Sequence, residues 1–296
     1  MTTITSAEQL DQLWDYDDPA GSQARFQALL ALPEAPLRLE ILTQVARAQG
    51  LQRQFDAAHA TLDLVAAGLE TQSRHVQVRY WLERGRVFRS SGQTAAARDC
   101  FETAFQMSLA AGDDFYTVDA AHMLGIVADS AESQIAWNER ALSLAQTASN
   151  PRAQHWFGAL ANNLGWAYHD RGDYTQALDL FQEARAWRET QGNPTNLRIA
   201  RWCVARALRS LGRVEEALAQ QQTLHAEWQT AGGSDGYVLE EIAECLWQLG
   251  RRGEAQPYFY QAHTLLAHDP WLAEAEPARL NRLQHLAAGQ DETSLG

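Results

Sequence analysis

Apolar residues recur at helical spacing along most of this chain, and they do so in paired stripes. In Ala161-x-x-Leu164-Gly165-x-x-Tyr168 the apolar positions fall on one helical face, with Gly165 small enough to admit a second helix. Ala177, Phe181 and Ala184 follow at i, i+4 and i+7 and form the matching stripe. The same frame returns as Trp81, Gly85, Phe88, Ala97, Phe101 and Ala104. It returns again as Leu239, Ile242, Ala243, Leu246, Ala255, Phe259 and Ala262. Each stripe pair predicts two antiparallel helices, and no alternating strand pattern competes with it.

Turn chemistry separates the stripes. Gly92, Gly172, Gly212 and Gly250 each stand five residues before an alanine, namely Ala97, Ala177, Ala217 and Ala255. With Ala58 and Gln134 added, these positions repeat about every 40 residues, the mark of a stacked helical array. Between pairs lie Ala111-Gly112-Asp113-Asp114, Asn150-Pro151, Gly192-Asn193-Pro194, Gly232 to Gly236 and Asp269-Pro270, all of which stop a helix. The segment near Gly125 departs from this frame: it lacks the turn glycine and carries Gln134 and Asn138 where alanine and a large apolar residue are expected. At the N-terminus, Ser6-Ala-Glu-Gln9 predicts a capping box and Asp18-Pro19 a second helix start.

These residues resemble the tetratricopeptide repeat family, whose small residues at the eighth, twentieth and twenty-seventh positions are matched by Gly165, Ala177 and Ala184. A period near 40 residues, against 34 in the family, implies longer helices. The resemblance covers roughly residues 37 to 269. It implies an all-α fold, a tetratricopeptide-like α-solenoid or superhelix of antiparallel helix pairs. The expected organisation is N-terminal capping helices over 1–36, six pairs over 37–269, a C-terminal capping helix over 270–288 disturbed at Pro277, and a flexible tail over 289–296.

Composition narrows the function. Of 296 residues, 46% are hydrophobic and 21% charged, enough to build a core. The net charge of −13 disfavours nucleic acid and anionic membranes as partners. No apolar run reaches the roughly 20 residues of a membrane span, and the N-terminal residues do not read as an export signal, so a cytoplasmic location is expected. Cys100, Cys203 and Cys245 are widely spaced and read as reduced thiols. No catalytic or phosphate-binding signature is present and the histidines lack ligand spacing, so no enzyme, metal or cofactor is expected. Most of the ten tryptophans, Trp156, Trp228 and Trp271 among them, read as packing residues.

In the family, the first helix of each pair lines a concave groove. The resemblance places Arg47, Arg79, Arg86, Arg89, His122, Asn162, Trp166, His169, Trp202, Arg206 and Arg209 on that wall. It also places Tyr237, Glu240, Glu244 and Trp247 at an acidic lip. Arginine forks with aromatic neighbours suit a protein or peptide segment, acidic in character. Arginines paired with nearby acids such as Glu83 are the alternative. The expected role is a non-catalytic peptide-binding scaffold, or else a regulatory protein that responds to a ligand or signalling peptide; self-association is left open.

Overall fold

The computed structural model describes residue 4, residues 6–32 and residues 37–290. The described residues form helices and turns without a strand, in two compact units over residues 1–160 and 161–296. In the first unit, α1 (Ala7–Asp11) and α2 (Pro19–Leu30) precede α3 (Arg38–Leu51) paired with α4 (Phe55–Ala66). A 3₁₀ turn at Leu69–Thr71 leads to α5 (Arg74–Ser90) paired with α6 (Thr94–Ala111), then α7 (Asp114–Ile126) paired with α8 (Ala131–Thr147). The short α9 (Pro151–Gln154) and the start of α10 (Phe157–Asp170) follow. The second unit holds the rest of α10 with α11 (Tyr174–Gln191), α12 (Pro194–Ser210) with α13 (Val214–Thr230), and α14 (Gly236–Gln248) with α15 (Arg252–Leu266). It ends in α16 (Pro270–Ala275) and α17 (Pro277–Ala287). This is the all-α, tetratricopeptide-like arrangement of antiparallel pairs.

Caps fall where the punctuation predicts them. The Asn193 side chain accepts from the Asn196 N–H at 3.0 Å with Pro194 opening α12, and Asp235 accepts from the N–H groups of Tyr237 and Val238 at 2.9 and 3.3 Å. Each such cap contributes about 1 kcal/mol. Ser6 accepts from Gln9 N–H and Asp18 from Gly21 N–H, starting α1 and α2. Pro277 divides the C-terminal segment into α16 and α17. Gly289 and Gln290 form a turn after α17, whereas residues 291–296 of the expected tail and the side chain of Trp271 lie outside the described residues.

In every pair but the third, the turn passes through the left-handed region. Gly172 does so at φ +85°, and in the first pair Arg53 takes the equivalent place at φ +61°, again five residues before an alanine, Ala58. The third pair needs no such residue because Ser130, in extended conformation, caps α8 through its hydroxyl. Its other departure has a packing role. A Cβ built on Gly85 would lie 2.5 Å from the Phe101 ring, and one on Gly125 would lie 2.9 Å from Asn138 Oδ1. Buried Asn138 thus fills the place that Phe101 fills in the pair before it.

Candidate functional site

The chain has no lysine, so each of its 24 Lys or Arg positions is an arginine, whose planar fork pairs with carboxylates on two sides. In the first unit those forks are largely engaged. Arg79, 4% exposed, pairs with Glu40 at 2.7 Å and with Asp11 from α1. Arg86 donates to both oxygens of Asp119 at 2.6 Å and to Glu83 at 2.7 Å, while Arg47 reaches the same Glu83 oxygen at 3.1 Å. Burial alone would lower the arginine pKa values, but Asp119 and Glu83 raise that of Arg86, and the neighbouring acids likewise raise that of Arg79.

Arg47, Arg79 and Arg86 line a cavity of about 130 Å³ closed by Phe115, Tyr116 and Trp156. Arg152 pairs with Asp11 there and lies 4.1 Å from the centre of the Phe115 ring. His122 stands outside this lining, its ring 5.3 Å from that of Trp156 and its Nδ1 buried without a partner; burial lowers its pKa. Arg89 is exposed, makes no ion pair among the described residues, and lines a shallower hollow with Arg47 and Met123. Charge reversal at Arg86 would therefore strike buried ion pairs and not a free groove cation.

The second unit gathers its predicted residues more fully. Trp166 and His169 of α10, Trp202, Arg206 and Arg209 of α12, and Glu240, Glu241 and Glu244 of α14 line one trough of about 560 Å³. The Trp166 ring stands 5.0 Å from His169 and 5.8 Å from Trp202. His169 Nε2 meets Ser210 Oγ at 2.9 Å, and burial, followed by Arg206, depresses its pKa, so the imidazole is neutral at pH 7. Asn162 lies behind this wall, its Oδ1 3.2 Å from Cys203 Sγ. Trp202 donates its indole N–H to the Tyr237 carbonyl at 3.2 Å.

The acidic lip is neutralised. Arg279 of α17 holds both oxygens of Glu240 at 2.8 and 2.6 Å, and Arg282 pairs with Glu244. Burial nevertheless pushes the Glu240 pKa upward. Trp247 turns away toward Phe259, with ring centres 6.0 Å apart. Glu241, Arg279 and Arg282 were not among the expected wall residues. The signal for the two arginines is the period itself: Arg279 follows Glu240 by 39 residues, the same step that separates Arg79 from Glu40. The helix taken as a cap thus supplies side chains to the trough.

Among the described residues, no group of three or more His, Cys, Asp or Glu is placed to hold a metal ion, and no helix is long and apolar enough to cross a membrane. Tetratricopeptide repeat family models match residues 78–110 and 158–190. The chain thus contains tetratricopeptide repeats. Among solved structures it is similar to the apo form of RapI, with a TM-score of 0.74 at 11% identity over 97% of this chain and 83% of that one. It is similar also to the apo quorum sensor NprR from B. thuringiensis, with a TM-score of 0.61 at 14% identity over 96% of this chain and 82% of that one. NprR in complex with its cognate peptide NprX gives a TM-score of 0.54 at 14% identity, over 96% and 85% of the two chains. At these identities the likeness is one of fold. The sequence matches no curated protein.

Proposed function

We propose that this chain is a non-catalytic scaffold that binds a segment of another protein or a peptide in the trough of its second unit. One observation carries the reading: the inward residues of three successive first helices, Trp166 and His169, Trp202 and Arg206, and Glu240 and Glu244, converge on a single trough of about 560 Å³. Trp166 and Trp202 supply rigid apolar area, while arginine and carboxylate forks supply directional contacts. The trough alternates in charge, so recognition rests on the order of charges along the segment more than on net acidity. The fold likeness to NprR, whose structure is described with a cognate peptide, supports a peptide ligand and, as a second reading, a peptide-responsive regulator.

Selection from a random peptide display library against the full chain tests the proposal. Selected peptides are expected to lose at least about tenfold in affinity for a folded Trp166→Ala variant, as central aromatic anchors do. Undiminished binding would move the site off the trough.

A further inference from the structure

Helix α12 carries arginines at 198, 201, 206 and 209, and the structure divides them into two kinds. Arg201 pairs with Glu227 at 2.8 Å, and Arg209 grips both oxygens of Glu241 at 2.8 and 2.9 Å. Arg206 reaches only a Glu241 oxygen already held by Arg209, at 3.2 Å, and turns another nitrogen to Ser210 at 2.7 Å. Burial before all else, and Arg209 beside it, lower its pKa against the opposing effect of Glu241, Glu244 and Glu240. Arg198 makes no ion pair among the described residues and lies 4.5 Å over the Trp228 ring. Arg198, Trp202 and Arg206 follow at four-residue steps, so they form one stripe on the helix, about 12 Å from end to end.

Trp202 is also the wall between two hollows. On one side is the charged trough, and on the other an apolar cavity of about 390 Å³ between α12, α13 and α14. That cavity is lined by Ile199, Trp202, Trp228 and Tyr237, with Arg198 and Asp235 at its edge. Asp235 makes no ion pair with Arg198 among the described residues, and one of its oxygens accepts the N–H bonds that cap α14. Ile199 is 53% exposed, so the cavity opens to solvent past an apolar rim.

We propose that the Arg198–Trp202–Arg206 stripe recognises a short extended peptide segment in which one apolar side chain, seated in the cavity beside Trp202, is flanked on both sides by carboxylates. The inference rests on the peptide reading of the trough and specifies its ligand. Each arginine without a carboxylate of its own accepts one from the ligand, as a fork-to-fork pair. An extended chain advances about 3.3 Å per residue, so carboxylates three to four residues apart match the 12 Å stripe. Asp170 and Glu276, the more exposed acids of the trough, stand at its outer margin and disfavour a segment that is acidic throughout.

The probe is the peptide Glu-Gly-Phe-Gly-Glu, blocked at both ends and titrated calorimetrically into the full chain. Saturable binding below about 1 mM is expected. Replacing Phe by Gly in the probe, or both Glu by Gln, is expected to weaken it at least about tenfold. Arg198→Gln with Arg206→Gln is expected to abolish the difference between the Glu and Gln probes. Ile199→Trp, a change at an exposed position that fills the mouth of the cavity, is expected to abolish the preference for Phe. Equal binding of the Glu and Gln probes to the wild-type chain, or no binding of the parent probe, would overturn the proposal. If the display library yields trough-dependent peptides without this pattern, the stripe assignment fails while the peptide reading stands; if it yields no peptide, both fail.

Discussion

Phe181 lies across Gly165 so closely that a Cβ built on the glycine would stand 2.6 Å from Cε1 of the ring. The two residues belong to α10 and α11, and their contact sets how near those helices approach. The first prediction follows from it. Gly165→Ala adds a good helix former, yet the added methyl meets a fully buried ring, so a net loss of about 1–3 kcal/mol is expected in urea unfolding. Gly253→Ala is the control, since nothing lies within 4 Å of its Cβ position. It should stabilise by up to about 1 kcal/mol.

Removing a buried arginine should cost more than removing a surface one. Arg79→Met leaves Glu40, 2% exposed, with His75 as its remaining partner, and a loss of about 3–5 kcal/mol is expected. Arg213→Ala breaks an exposed pair with Glu216 and should cost less than about 1 kcal/mol. Equal losses in denaturant titrations would show that the Arg79 pairs are no more than surface contacts.

His75 predicts a pH window for the first unit. Asp113 first and Glu40 second raise its pKa from 6.5 to about 9, against the opposing effects of burial and Arg79; Tyr116 packs edge-on against the ring. A raised histidine pKa means that its stabilisation is complete below pH 6.5 and is lost as pH rises through 9. Thermal midpoints should therefore fall across that interval in the wild-type chain and fall less in His75→Gln. Indistinguishable profiles would rule out the His75 contacts as the source.

The three cysteines should be silent in the folded chain. Burial pushes Cys100 up to about 11 and Cys203 and Cys245 up to about 12, so little thiolate forms at neutral pH, and all three are buried. Addition of a chromogenic disulfide reagent should titrate none rapidly in buffer and three in denaturant. A fast-reacting thiol in buffer would contradict the packing around it.

The pairing of helices was legible because it is written in local interactions. Stripes at i, i+4 and i+7, a left-handed residue five positions before an alanine, and Asn or Asp ahead of a helix start all act within a few residues of chain. Even the atypical third pair declared itself, through Asn138 in a place meant for an apolar ring. The positions facing the trough came from the family resemblance laid over that periodicity, as Trp166, His169, Trp202, Arg206 and Arg209 show. What the periodicity could not tell was the charge those positions present. Arg79 with Glu40 and Arg279 with Glu240 join across 39 residues, and Arg209 with Glu241 across 32. Such long side chains can reach several neighbours, and only the packed helices decide which carboxylate each one meets. Tertiary structure therefore selected Arg198 and Arg206, out of four arginines on one helix, as the two left without a carboxylate of their own. Helical periodicity is a property of the backbone, whereas ion pairing depends on which side chains neighbouring helices bring within reach.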